Sequence, residues 1–537
     1  MCTVVIVIAI LCAAGVFEGE TYTMLLITAA VLMATLESVG GARILLASPQ
    51  ISSHVMMQIT TGEELARRGH EVYIAIASRY PKPESLKQLG LRTIMYHIPP
   101  DQPFGLSDET EIFLAERLFS GNFQQSRLSN DTSTLVSRDC EAMLSDGKFM
   151  EEVRALKFDI ALVDPFIINP CYLLLPHVLN IRFVCLEHYY LPWFIRMPSF
   201  PSFLRIPGII TTDSEPTFLN SLINTVFYFA GHWKVSTMWN STLLYRYSSL
   251  TWNELILKSE LFLCIGDHHL DSPLPLFPNV ISVPGLTVRP VKPLPDKLEK
   301  LAVQSRDGMI LVTFGSVAAY FPNEVVVKFL HAFSRVKQTV IARVTIPEGV
   351  AVPANVHVLK WLPQNDILSH QHMKLLITHC GCHSQDEALY HGVPMLGFPL
   401  FAEQPYNCKR ALAKGFGLTM NIHTFTAEEL FDNIQEMLNN RTYSDNIKRS
   451  SAILRDEPLI GPNKAAHWIE HVVKYGSSHL RSPAMDLPLY RFLMLDVLAI
   501  IFITALVVLT ITCLCVIFIT RLIWRKLFYK PSKKKSQ

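Results

Sequence analysis

Between Val497 and Thr520 the chain carries no charged residue, and nothing else in it restricts the fold so strongly. A helix rising about 1.5 Å per residue would extend about 36 Å over that run, enough to cross a bilayer core of about 30 Å. A transmembrane helix is therefore expected over 497–520. Arg521, Arg525, Lys526, Lys530 and Lys533 to Lys535 follow it directly. The positive-inside bias then places the basic tail, 521–537, in the cytosol and the body on the lumenal side, in a single-pass topology. The last residues, Lys534-Lys535-Ser536-Gln537, read as a di-lysine retrieval signal that would keep the protein in the endoplasmic reticulum membrane. They also suit a plain basic stop-transfer flank, and the two readings are compatible.

The body is bounded by composition. The formal net charge is +2, and the tail alone holds seven Lys or Arg and no acid. The rest is thus net negative, which argues against a nucleic-acid-binding body. Half of the 537 residues are hydrophobic, ample for two or three cored domains. Two apolar stretches crowd the start, Cys2 to Val16 and Met24 to Met33, and the first basic residue is Arg43. The second stretch reads as a signal-peptide core, with Val39 and Gly41 placed for cleavage before Ala42. The alternatives are that Met24 is the true start or that Cys2 to Val16 is an uncleaved anchor. A lumenal body can carry glycans, for which sequons stand at Asn130, Asn240 and Asn440, and disulfides. Of eleven cysteines, seven are scattered through the body, so one or two bridges at most are expected.

From Arg43 the pattern is strand (Ile44 to Ala47), helix from near Ser53 with Met56, Ile59 and Leu65 apolar, Gly69, and strand (Val72 to Ala77). This is a βαβ unit, with Ser53 a candidate N-cap and Gly69 suited to the left-handed helix stop. A strand from Ile160 to Val163 ends at Asp164-Pro165. Met197 to Phe229 is irregular and rich in Pro and aromatics, which suits an apolar lining. The Pro-rich stretch from Ser272 to Pro295 reads as a linker. A second series follows: strand Met309 to Thr313, a Phe314-Gly315-Ser316 turn, helix Glu324 to Arg335, and strands at Thr339 to Arg343, Val356 to Leu359, Leu375 to Thr378 and Met395 to Phe398. Two α/β domains with mostly parallel sheets are expected, with chemistry at the strand ends facing a cleft.

The stretch from Trp361 to Arg410 is the most informative. A strand ends at Thr378, and His379, Cys380, Gly381, Cys382, His383 and Ser384 form a turn opening a helix. Backbone N–H groups and the helix dipole then converge on one spot that suits a diphosphate. Glu387 lies about one turn in, and Glu403-Gln404 follow the next strand. Here the sequence resembles the UDP-glycosyltransferases, whose pattern runs roughly W-x-P-Q, H-x-G-x-[NH]-[SG]-x-x-E, G-V-P and [DE]-Q. The resemblance runs from about Arg43 through the anchor and tail. It implies two Rossmann-like domains (the GT-B arrangement) plus one C-terminal transmembrane helix: a leader over 1–41, an acceptor domain over 42–284, a donor domain over 285–475 and a juxtamembrane segment over 476–496. It further implies that the helix near Ala465 to Lys474 packs back across the first domain.

By the same resemblance Trp361 stacks on uracil, Gln364 and Glu387 bind the nucleoside, and Ser316, His379 and Ser384 hold the diphosphate at the Gly381 turn. Glu403 and Gln404 bind sugar hydroxyls, and Arg343 is a further donor contact. His383 stands where many members have Asn, and Glu403 where animal members most often have Asp. In the first half, His54 matches the position of the catalytic base and Asp164 that of its orienting carboxylate. Chemistry favours such a pair, because an acceptor hydroxyl must lose its proton as it attacks the anomeric carbon. The expected reaction is direct, inverting transfer of glucose or glucuronic acid from a UDP-sugar to a small lipophilic hydroxyl compound, with a slight preference for UDP-glucose. No metal and no cofactor beyond the UDP-sugar co-substrate is expected.

Each of these residues also has a plainer reading. A lone His near a helix start is more often a surface residue, Asp before Pro often only shapes a turn, and Trp beside Leu-Pro usually packs in a core. Cys380-x-Cys382-His383 lacks a second ligand pair for zinc, and its thiols read as small filler residues. Gly415 and Gly417 read as a helix stop. The competing class is a non-catalytic lumenal partner subunit that binds UDP-sugar; homo- or hetero-oligomerisation stays open.

Overall fold

The computed structural model describes residues 41–528 except 101–104, 106–107, 120–124, 167, 189–193, 198–216, 236–241, 267, 272, 274 and 316–319. The leader, Ser316, Asn240, most of the Met197 to Phe229 lining, and Lys530 with Lys533 to Lys535 lie outside the described residues.

The first sheet takes seven strands: β1 (Arg43–Ala47), β2 (Glu71–Ala77), β3 (Leu91–Tyr96), β4 (Ile160–Val163), β5 (Phe183–Glu187), β6 (Phe262–Cys264) and β7 (Val280–Ser282), in the order β3-β2-β1-β4-β5-β6-β7. All pairings are parallel. The crossover from β1 to β2 is helix α1 (Ser52–Arg67). The second sheet holds β8 (Met309–Thr313), β9 (Thr339–Arg343), β10 (Val356–Val358), β11 (Met373–Thr378), β12 (Met395–Gly397) and β13 (Gly417–Thr419), in the order β10-β9-β8-β11-β12-β13 and again all parallel. Its helices include α2 (Asn323–Phe333), α3 (Gln364–Leu368), α4 (Cys382–His391) and α5 (Gln404–Ala413).

These strands are short unbroken apolar runs because both faces are covered. In β8, Ile310 and Val312 join one core while Met309 and Leu311, pointing the other way, join another, as the two-residue period of a strand requires. Both sheets reverse direction of growth at one place, between β1 and β4 and between β8 and β11. Loops leaving neighbouring strands diverge there and open a crevice. Helix α6 (Gly461–Tyr475) returns to the first sheet, burying Ala465, Ala466, Ile469 and Val472 in its core. Glu470 of α6 pairs with Arg68 Nη1 at 2.8 Å and His70 Nε2 at 3.1 Å.

Three local expectations change. Helix α1 starts one residue earlier, after an extended Ile51, with no side-chain cap, so Ser53 lies inside its first turn. The Pro-rich stretch is not wholly linker, since β7 within it pairs with β6; a strand of three residues is too short a run to show alternation. Gly415, at φ +67°, ends α5 as expected, but Gly417 opens β13 instead of extending the stop. Its Cβ would fall 1.6 Å from the Met395 carbonyl oxygen, so close strand approach explains that glycine.

Residues 481–537 form a separate unit. It contains α7 (Leu495–Phe528), among the described residues the one helix long and apolar enough to cross a membrane. The helix continues past Thr520 through Arg521, Arg525 and Lys526.

Candidate functional site

His54 sits in the first turn of α1, just beyond β1, and Asp164 just beyond β4, so the reversal point of the first sheet brings them together. His54 Nδ1–H donates to Asp164 Oδ2 at 2.5 Å. The other carboxylate oxygen accepts the Phe166 N–H at 2.9 Å, in a turn where Phe166 takes φ +43°. Asp164 is fully buried and His54 is 9% exposed. Burial alone would push the imidazolium pKa down; Asp164, with Glu187 and Glu403, more than reverses this, to about 9. Burial also pushes the Asp164 carboxyl up. The pair is thus a strongly proton-attracting dyad whose remaining ring nitrogen is Nε2.

In the second sheet the reversal point lies between the Phe314-Gly315 turn after β8 and the His379–Gly381 turn after β11. The His379 ring lies between two glycines: a Cβ on Gly315 would fall 2.7 Å from its Nε2, and one on Gly381 2.6 Å from the same atom. Burial lowers the His379 pKa to about 4, so it is a neutral hydrogen-bond donor and not a cation. Arg343, at the end of β9, donates through Nη1 to the Gly315 carbonyl at 2.6 Å and braces that turn. Gly381 is the N-cap of α4 and brings no side chain to its first turn, leaving backbone donors there for an anion.

Around this turn Gln364 Nε2 donates to Glu387 Oε2 at 2.7 Å and to Ser384 Oγ at 3.2 Å. Burial pushes the Glu387 carboxyl up to about 7, against Gln364 and Arg289, which favour its charge. Trp361 is 67% exposed, an indole face not spent on a core. Gln404 is buried with Oε1 accepting the Leu400 and Phe401 N–H groups at 2.9 and 3.2 Å, so its side-chain N–H groups remain for a ligand. Glu403 lies at the start of α5.

His383 turns to the other half, its Nε2 being 3.1 Å from His188 Nε2 with the rings stacked at 5.0 Å. The thiols read as filler differ in role: Cys380 is bridged to Cys408 of α5, while Cys382 is free. A second bridge joins Cys140 and Cys171. Cys380 and Ala402 both take positive φ, so the turns bearing the donor residues hold conformations that non-glycine residues seldom adopt.

Sequence reasoning missed several neighbours. Glu187 ends β5 and His188 follows it, and the His188 ring lies 4.9 Å from that of His54. Asn407 Nδ2 donates to the Cys380 carbonyl at 2.9 Å, and Arg289 reaches Thr60 Oγ1 at 3.2 Å. No local motif marks them, because each becomes a neighbour only when distant strands are placed side by side. Among the described residues, two groups bring three potential ligand atoms within 4.8 Å of one another: His54, Glu187 and His188, and His268, His269 and Glu457.

The chain resembles known proteins along most of its length. The chain is 30% identical over 518 residues to UDP-glucuronosyltransferase 2B17 of Rattus norvegicus, spanning 91% of this chain and 95% of that one. It is 30% identical over 495 residues to UDP-glucuronosyltransferase 1-2 of Mus musculus, spanning 89% and 91%. Among solved structures, spinosyn forosaminyltransferase SpnP superposes with a TM-score of 0.56 at 18% identity over 81% of this chain and 99% of that one. Glycosyltransferase VinC, in complex with DTDP, gives 0.53 at 15% identity over 81% and 100%. Those likenesses show the GT-B fold. Residues 42–530 match the family described as "UDP-glucoronosyl and UDP-glucosyl transferase", and with a match running from the first strand past the apolar helix the chain belongs to that family and is a UDP-glycosyltransferase.

Proposed function

We propose that this enzyme transfers a hexosyl group from a UDP-sugar to the hydroxyl of a small lipophilic acceptor, with inversion at the anomeric carbon and without a metal in the chemical step. The observation that carries the reading is the buried His54–Asp164 pair at 2.5 Å at the reversal point of its sheet. His54 Nε2 takes the acceptor proton as the new carbon–oxygen bond forms. Asp164 holds the ring through Nδ1–H and stabilises the resulting imidazolium. UDP leaves from the opposite face, its negative charge met by the backbone donors at the start of α4 and by neutral His379. Uracil stacks on Trp361, the ribose bonds Glu387 and Gln364, and the sugar lies by Glu403 and Gln404. Ser316 joins the diphosphate contacts.

UDP-glucose is the donor that the charges favour. Glu187 and Glu403 both act on His54, and a sugar carboxylate would enter next to them. Arg410 is engaged by Asp271 at 2.5 Å and Arg343 by Gly315. The second reading, UDP-glucuronic acid, is favoured by the relatives, which are named for glucuronosyl transfer. The body lies in the lumen of the endoplasmic reticulum, with α7 as anchor and the basic tail in the cytosol.

The test is UDP release by microsomes carrying the full chain, offered either donor with a mixture of phenols and lipophilic alcohols. Release that depends on the acceptor with UDP-glucose is expected. Release only with UDP-glucuronic acid reverses the donor assignment. No release with either, despite UDP binding, replaces transfer by the non-catalytic reading.

A further inference from the structure

The residues between the two halves carry a second chemistry. Glu187 Oε1 and His188 Nδ1 lie 3.3 Å apart, and two ligands about 2.1 Å from one ion at the tetrahedral angle are separated by about 3.3–3.4 Å. A nitrogen of His54 completes a set of three ligand atoms within 4.8 Å of one another.

Metal-ligating histidines almost always give their second nitrogen to an outer partner that fixes ring and tautomer. Both rings here have one. His54 Nδ1 is held by Asp164 at 2.5 Å, which leaves Nε2. His188 Nε2 meets His383 Nε2 at 3.1 Å, which leaves Nδ1 on the Glu187 side.

The other cluster is more open, since His268 is exposed.

We infer that His54, Glu187 and His188 form a binding site for a divalent transition ion of the zinc class, with Asp164 and His383 as outer partners, and that the bound ion inhibits transfer by occupying His54 Nε2. On binding, His54 releases its Nε2 proton to solvent and keeps Nδ1–H on Asp164. The inhibitory part rests on the reading of His54 as the base; the binding part does not.

Cobalt(II) tests the binding directly, since a four-coordinate His and carboxylate site gives it visible absorption. The full chain in detergent, stripped with chelator, is titrated with Co²⁺ alone, and UDP binding is followed in parallel as a measure of folding. One Co²⁺ per chain is expected, with absorption that Zn²⁺ abolishes. Glu187→Gln and His188→Gln should remove the absorption while UDP still binds, and Asp164→Asn should weaken it about 10–100-fold. No absorption in the wild-type chain overturns the site whatever the variants do, and so does absorption unchanged in both ligand variants. Acceptor-dependent UDP release is then measured in chelator and with Zn²⁺ at the concentration that displaces cobalt. Loss of release in the wild type, with the residual release of His188→Gln unaffected, is expected; insensitivity of the wild type overturns the inhibition. Absence of release in chelator would instead sink the transferase reading and leave the cobalt result standing.

Discussion

In the proposed donor site, Glu387 couples burial to nucleotide binding through its proton. Held at about 7 instead of the usual 4.5 by burial, its proton binds the folded chain more tightly than the unfolded one. Stability from this group is therefore fully present below about pH 4.5 and is lost as pH rises through about 7. If ribose hydroxyls donate to the carboxylate as proposed, binding favours its charged form and releases a proton near pH 7. UDP-sugar KM is expected to rise as pH falls below 7, approaching about tenfold per unit, and Glu387→Gln should flatten that dependence. Steady-state kinetics with UDP-glucose, whose diphosphate has no group titrating there, measures it; a wild-type KM flat from pH 5 to 8 would remove Glu387 from the nucleoside contact. His54 affects a different constant. With a pKa near 9, only a small fraction is unprotonated at pH 7, so kcat should climb with pH towards about 9. His54→Ala should lower kcat by about 10²–10⁴-fold while UDP binding persists. Normal turnover in that variant excludes His54 as the base.

At the scale of elements, the turn proposed to hold the diphosphate is fixed from below. The Cys380–Cys408 bridge ties the β11–α4 turn to α5, and β12 passes beneath it. A Cβ on Gly397 would fall 2.3 Å from Cys408 Sγ and 2.4 Å from Cys380 Sγ. Gly397→Ala must therefore displace the bridge, and a loss of about 1–3 kcal/mol is expected from overpacking, with weaker UDP binding because the turn moves. Thermal unfolding with and without UDP checks both; an unchanged midpoint would show that the turn yields without cost. How much of this was legible follows from range along the chain. β1, β4, β8, β9 and α4 were readable because apolar runs and helix starts are local patterns; His54, Asp164 and His379 sit next to strand ends, and Glu387 lies about one turn into α4. β6, β7 and β13 went unread: with three residues each they show no periodicity, and β10 and β12, equally short, were read only as parts of four-residue runs. The bridge, the Glu187–His188 pair and the Asn407 contact depend on which strands become neighbours, and Cys380 looked like filler because its partner lies 28 residues away.

At the scale of the molecule, the first half is closed by the end of the body through α6 and joined to the second half by buried contacts such as Asp271–Arg410, while the anchor unit begins only at Arg481. The orientation of that body relative to the membrane can be read from glycans. Asn130 is exposed on the helix Gln125–Ser145 and stands in a sequon that is modified only in the lumen. If the tail retrieves the protein to the endoplasmic reticulum, its glycans stay in the high-mannose form that endoglycosidase H removes. Replacing Lys534 and Lys535 by Ser leaves five of the seven basic residues of the tail, enough to preserve topology under the positive-inside bias. Lumenal glycosylation should then persist while the glycans become resistant during passage through later compartments. An unglycosylated wild-type chain would contradict the lumenal placement, and variant glycans that remain sensitive would mean that something other than this lysine pair, such as α7 or a lumenal partner, holds the enzyme in place.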